Sequence, residues 1–185
     1  MSNRSSRLRS TTLAAISVIG LVMGLGVAEP SRAHADAPAP RVGLGIAGGE
    51  MFGTVDGFYG GLQARLGVQW SEGFATYVQS QGLVGTISGD GDSASVVGAL
   101  LDTFMFEATI GESLQLGVGP SLDYVWACRD SQRANFCASA GPYFGLDARF
   151  ALHLTIFTMS LDVHPMWLTD DAVATWVTLG LGVDF

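Results

Sequence analysis

His164 stands where it could do chemistry. In the run Ser160-Leu161-Asp162-Val163-His164 it shares a parity with a serine and an aspartate. A hydroxyl, an imidazole and a carboxylate are the parts of a nucleophilic hydrolase, in which the base takes the hydroxyl proton and the acid orients the base. Spacing argues against that use. Alternate residues of one strand share a face but sit ~7 Å apart, too far for a direct relay. The other histidine downstream of the leader, His153, precedes a short turn. The favoured reading of His164 is a satisfied, enclosed histidine, and the chain is read as not an enzyme.

Two further groupings could carry chemistry. Gly89 to Ser93 reads GDGDS. Two carboxylates among glycines can begin a calcium shell, but that ion takes about six to eight oxygens. Gly-Asp pairs are also ordinary turn residues, so no metal site and no cofactor are assigned. The only cysteines, Cys128 and Cys137, bracket CRDSQRANFC. An even count in an exported chain reads as one disulfide closing an exposed loop, with free thiols the lesser alternative. Arg129, Asp130 and Arg133 make that 128–137 loop a candidate recognition element for a surface partner.

The leader sets the compartment. Arg4, Arg7 and Arg9 precede an uncharged, mostly apolar run from Thr12 to Ala28, and Ala33-His34-Ala35 follows. A basic start, an apolar stretch and an A-x-A site describe a cleaved signal peptide over residues 1–35. ADAPAP reads as a brief linker ending at residue 40, and the domain proper runs over 41–185. All nine basic residues of the chain are arginine, against 17 acids. Cleavage removes four arginines and one acid, leaving five against 16 and a formal net charge of −11. Such a field disfavours nucleic acid as a partner.

From Arg41 onward the period is two. Phe58, Leu62, Ala64, Leu66, Val68 and Trp70 alternate with Tyr59, Gln63, Arg65 and Gln69. The same alternation runs through Leu114–Trp126, Ala138–Phe150, Phe157–Trp167 and Val173–Phe185. Arg41–Gly48 alternates Val42, Leu44 and Ile46 with glycines; the pattern is weaker in Phe74–Gln81 and weakest in Ala94–Phe106, which fills both faces at Val96-Val97 and Leu100-Leu101. This makes eight strands, with no helical period after the leader. Short turns are expected at 71–73, 109–112 and 152–155. Longer links are expected at 49–57, 83–93 and 128–137, with a shorter one at 168–172.

The polar face decides between a soluble and a membrane barrel. It carries Arg65, Asp102, Asp123, Asp147, Arg149, Asp162 and His164 among many glycines. That set makes a poor dry core but a good side-chain-filled lumen. The apolar face then meets lipid. Its aromatics cluster at strand ends: Trp70, Phe74, Phe150, Phe157 and Phe185 at one, Phe58, Tyr124, Trp126 and Trp167 at the other, as two interfacial girdles. In hydrocarbon the sheet has to close on itself. The fold class is therefore all-β, an eight-stranded antiparallel up-and-down transmembrane barrel.

On the leader, the alternating segments over residues 41–185 and the terminal aromatic, the chain resembles the eight-stranded outer-membrane β-barrels of the OmpA/OmpX-like group. The resemblance implies that Val177, Leu179, Leu181, Val183 and Phe185 form the signal read by the barrel-insertion machinery. It implies a Gram-negative outer membrane, periplasmic termini, and contact with outer-membrane lipid including lipopolysaccharide. Lipid-modifying barrels of similar size exist, but His164-Pro165-Met166 lacks the His-x-Ser element of the acylhydrolases. A non-catalytic structural or surface-interaction role is expected. The alternative is a narrow cation-preferring channel or a conduit for small hydrophobic solutes. One departure stands out: Pro120 and Pro142 fall inside neighbouring strands, so a bulge is expected at each.

Overall fold

The computed structural model describes residues 38–53, 56–88, 95–131, 134–169 and 172–185. The side chains of 88, 95, 128–140 and 169 fall outside that description, as do the signal peptide and the GDGDS segment. Eight strands run in chain order: β1 (Ala39–Gly53), β2 (Asp56–Ser71), β3 (Phe74–Ser88), β4 (Ser95–Ile110), β5 (Leu114–Ser131), β6 (Ala134–Leu154), β7 (Phe157–Thr169) and β8 (Ala172–Asp184). Each pairs antiparallel with its neighbours, and β1 pairs with β8, so the sheet is a closed barrel. Ala39 and Pro40, expected in a linker, already belong to β1 and pair with Gln69 and Val68.

Alternation fixes which face is inside. Leu116, Leu161 and Leu179 are 40%, 39% and 67% exposed, whereas Asp147 and Arg149 are 1% and 2% exposed. Apolar side chains point out and ionised ones are enclosed, the inverse of a water-soluble barrel. All nine expected girdle aromatics lie on the outside. The turn-end residue Trp70 also anchors locally, its indole donating to Thr76 Oγ1 at 2.8 Å.

The seam draws Phe185 into the ladder. Phe185 exchanges two backbone hydrogen bonds with Val42, at 2.8 and 3.2 Å, and Asp184 N–H donates to Ile156 O at 3.1 Å. The last residues are therefore laddered on both sides, and Phe185 presents its ring outward. Both ends of the described chain lie at the short-turn end of the barrel.

The strands are longer than the sequence suggests, and the expected links shrink accordingly. β1 reaches Gly53, β3 reaches Ser88, and the β5–β6 ladder continues to Ser131 opposite Ala134. The segment expected as a 128–137 loop is thus mostly paired hairpin. Its register sets the backbones of Cys128 and Cys137 opposite each other, while their side chains lie outside the described set.

Only one of the two prolines sits at a bulge. Asp123 pairs with Tyr143 and Val125 with Ala140, so Gly141 and Pro142 together oppose Tyr124. Gly141 has φ +127, a conformation that excludes a side chain at little cost only in glycine. Pro120 instead interrupts the β4–β5 ladder between Thr103↔Ser121 and Phe106↔Val118 with no change of register. Pro165 does the same in β7, between Gly145↔Met166 and Ala148↔Val163. A proline removes one donor without requiring an extra residue, so a skipped rung suffices.

Candidate functional site

The lumen is built in two zones. At the short-turn end and waist, the inward positions carry charge. Arg149 donates through Nη1 to Asp162 Oδ1 at 3.1 Å and to Gln79 Oε1 at 3.0 Å. Its Nε lies 3.8 Å from Glu107 Oε2. Glu107 accepts the Tyr77 hydroxyl at 2.6 Å and pairs with Arg41 at 2.5 Å. Arg41 also lies over the Tyr77 ring, 5.2 Å from its centroid. A second node surrounds Asp184, which pairs with Arg65 at 2.9 Å and accepts Thr158 Oγ1 at 2.6 Å. Inward glycines make room for these long side chains. A Cβ on Gly43 would come within 2.3 Å of Asp184 Oδ1 and 3.0 Å of Arg65 Nε.

His164 ties the network at the waist. Its Nε2 lies 2.8 Å from Asp123 Oδ2, and its Nδ1 lies 3.7 Å from Asp147 Oδ2. Ser160 is not its partner; that hydroxyl donates to Asp162 Oδ2 at 2.9 Å. The fold instead brings up Ser121 from β5, 3.1 Å from His164 Nε2. Serine, histidine and carboxylate do meet, but not as a nucleophilic relay. Ser121 is buried and directs its proton to Asp123 Oδ2 at 2.9 Å. Asp123, rather than Ser121, is the nearer partner of Nε2. A nucleophile needs a free path to a carbonyl carbon, and this hydroxyl is enclosed in the network.

Of the expected lumen residues, Arg65, Asp123, Asp147, Arg149, Asp162 and His164 all point inward and are buried. Asp102 does not. Leu101 and Thr103 occupy the lumen, so Asp102 lies on the outer face of β4, hydrogen-bonded by Ser80 Oγ at 2.6 Å across the β3–β4 ladder. Residues missed at the sequence level are Arg41 and Glu107; Gln63, Tyr77, Gln79, Gln81, Gln115 and Asp184 were read on the polar face, but not the contacts they make.

The hairpin end is different. Ala47, Met51, Leu83, Ala99, Leu101, Met166, Ala174 and Trp176 fill the lumen as an apolar cluster. Tyr59 joins it from the edge, its ring 4.7 Å from that of Trp176. The Tyr59 hydroxyl bonds Thr178 Oγ1 at 2.6 Å, where the polar zone begins.

No protein-family model and no curated protein sequence matches the chain. Solved structures do. Ail, the attachment invasion locus protein of Yersinia pestis, superposes with a TM-score of 0.56 at 15% identity, over 79% of this chain and 97% of that one. Ail in complex with the heparin analogue sucrose octasulfate gives 0.56 at 13% identity, over 79% and 97%. Neisserial surface protein A gives 0.53 at 10% identity, over 81% and 100%. This chain has the fold of the eight-stranded outer-membrane β-barrels. Barrels of this size hold side chains rather than an open channel, which agrees with the packed lumen here.

In a lipid-facing sheet Asp102 is an anomaly. It sits midway along β4 among the exposed Leu100, Phe104 and Leu122. Ser80 and the neighbouring Ala64 leave it shallowly set rather than protruding. A carboxyl group facing acyl chains costs less than a basic residue there but still opposes insertion. Asp102→Leu is expected to raise stability by about 1–2 kcal/mol, read as a higher urea midpoint in liposomes. Ser80→Ala, which strips the carboxyl of its donor, should lower it. A destabilised Asp102→Leu barrel would show that the carboxyl contributes structure that lipid contact alone does not explain.

Proposed function

We propose that this protein is a non-catalytic outer-membrane barrel with a surface-interaction role, inserted with periplasmic termini and a closed lumen. The observation that carries the reading is the charge network spanning the barrel. Arg41, Arg65 and Arg149 interlock with Glu107, Asp162 and Asp184, and His164 ties in Asp123 and Asp147, where a channel would need water. Fixed, mutually neutralising groups fill the bore instead. This favours closure over the narrow-channel alternative.

The hairpin end supports presentation to a partner. β5 and β6 are the longest strands, 18 and 21 residues. In this reading Cys128–Cys137 staples the end of the β5–β6 ladder, where the two backbones pair. Ail, a fold neighbour, is an attachment invasion locus protein and is seen with a heparin analogue. The chemistry of this chain differs: Glu50, Asp56, Asp90, Asp92, Asp130, Asp170 and Asp171 outnumber Arg129 and Arg133 in the hairpin-end segments. That composition disfavours sulfated polyanions and favours a basic partner, or lipopolysaccharide phosphates bridged by divalent cations. Val177, Leu179, Leu181, Val183 and Phe185 line the outer face of β8, the side available to insertion machinery during assembly.

Reconstitution into planar bilayers tests closure: no steady conductance is expected. An epitope inserted between Gln132 and Arg133 should be labelled on intact cells. Labelling that requires outer-membrane permeabilisation, or a stable open conductance, would overturn the reading.

A further inference from the structure

Asp102 is the one carboxyl group midway down the lipid-facing wall among the described residues. Glu50 and Asp56, also turned outward, stand at the hairpin end opposite Phe58 and Ser88. On the hairpin side of Asp102 the girdle residue Trp126 covers Gly98. On the turn side Phe104 and Phe106 meet edge to face, 5.1 Å between ring centroids. Water is therefore remote. Ser80 Oγ donates to Asp102 Oδ1 at 2.6 Å, and Oδ2 has no partner among the described residues. Acyl chains offer none. Ionisable groups in a membrane interior are kept where they meet a partner, and the single barrel does not supply one.

The wall beside Asp102 is also low. Ala64, Ser80 and Asp102 form one cross-strand row, and Leu62, Gly82 and Leu100 form the next. A Cβ built on Gly82 would meet nothing within 4 Å. Small side chains let two membrane-embedded surfaces approach closely, and polar groups between them then hydrogen-bond. We propose that this face of β2, β3 and β4 docks a second copy of the same chain within the membrane, with the two Asp102–Ser80 pairs in contact. Both copies insert in one orientation, so a closed pair has its twofold axis along the membrane normal. That symmetry sets each Asp102–Ser80 pair against its own image at equal depth. The complementarity is built in, because each pair carries a hydroxyl and a carboxyl group. An O–H···O hydrogen bond between the two carboxyl groups joins the copies. Arg41, Arg65 and Arg149 all point into the lumen, so the contact is carboxyl to carboxyl and not an ion pair. The inference needs the barrel in a membrane but not the surface-interaction role.

The test follows energy transfer between barrels labelled at the α-amino group with donor or acceptor dye. They are held in phosphatidylcholine vesicles while the protein-to-lipid ratio is varied. Unboiled gel mobility first establishes that each variant has folded. The parent is expected to associate reversibly. Asp102→Leu, which should make the single barrel more stable at high lipid dilution, is expected to raise the half-association ratio roughly ten-fold or more. Gly82→Leu, which fills open space in the single barrel, should do the same. Asp102→Asn, whose amide both donates and accepts, should stay near the parent. Opposite signs for stability and association separate a docking surface from damage to the fold. Oxidative cross-linking then locates the contact, in barrels that also carry Cys128→Ser and Cys137→Ser. Leu62→Cys should link copies, and Leu161→Cys, on β7 across the barrel, should not. A parent that is monomeric at every ratio overturns the proposal and leaves the face to lipid or to another protein. Association untouched by Asp102→Leu, or equal linking from both cysteines, also overturns it. So does an Asp102→Asn barrel as monomeric as Asp102→Leu, because paired hydrogen bonds would then not be what joins the copies.

Discussion

Arg149→Ala is expected to destabilise the barrel by about 3–5 kcal/mol, the usual cost of leaving buried charges without their partner. The guanidinium is the one group that reaches Asp162, Gln79 and the neighbourhood of Glu107 together. Without it Asp162, fully buried, keeps Ser160 and Gln79 as neutral donors but has no cation. Urea unfolding followed by gel mobility in detergent reads the loss. Arg149→Lys should recover part of it, since the charge remains while the planar fork that serves several acceptors is gone. Arg149→Met with Asp162→Asn should recover more, because no charge is then left alone. The same truncation opens space beside carboxylates, so Arg149→Ala is also expected to pass monovalent cations in planar bilayers where the parent barrel is closed. A change below about 1 kcal/mol with an unaltered bilayer record would mean that the network neither seals nor supports the lumen.

Period-two alternation made strand number, orientation and closure legible, and the girdle aromatics told lipid face from lumen. What stayed hidden has a common physical origin. Alternation is a signal only where the two faces differ. At Leu83-Val84, Val96-Val97 and Leu100-Leu101 both faces are apolar, because the hairpin end of the lumen is itself an apolar core. There the strands looked like loops or lost their parity, and Asp102, one residue from Leu101, was turned to the wrong side. Arg41 and Glu107 escaped notice for a related reason: they stand at strand ends, where a charge reads as solvated. The meeting of Ser121, Asp123, Asp147 and His164 could not be read locally at all. It joins β5, β6 and β7 through the interior, a matter of barrel closure and side-chain reach rather than of spacing along the chain. The bulge expected at each glycine–proline pair holds at Pro142 and fails at Pro120, because a skipped rung accommodates a missing donor as well as a bulge does, and residue type alone does not choose between them.

Asp184→Ala is the second substitution expected to cost about 3–5 kcal/mol, and it should act on the seam. Asp184 is the last residue of β8. Here its carboxylate holds Arg65 of β2 at 2.9 Å and takes the Thr158 hydroxyl of β7 at 2.6 Å, with Arg41 of β1 at 3.9 Å and His153 of β6 at 3.8 Å. One side chain thus links the closing strand to groups around half the barrel. Removing it strands Arg65, whose side chain is 1% exposed and has no other carboxylate within ion-pair distance among the described residues. Asp184→Asn keeps a shape match but can neither balance Arg65 nor accept as strongly, so it should fall between the parent and the alanine variant. The distinguishing readout is local. Amide exchange should accelerate first at Val42, Asp184 and Phe185, whose backbone bonds close the ladder, before the β3–β4 amides change. Adding Arg65→Met to Asp184→Ala should return much of the lost stability, because the uncompensated charge has then been removed. Uniform acceleration across all strands, or no gain from the second substitution, would assign the cost to general loosening of the lumen rather than to this ion pair at the seam.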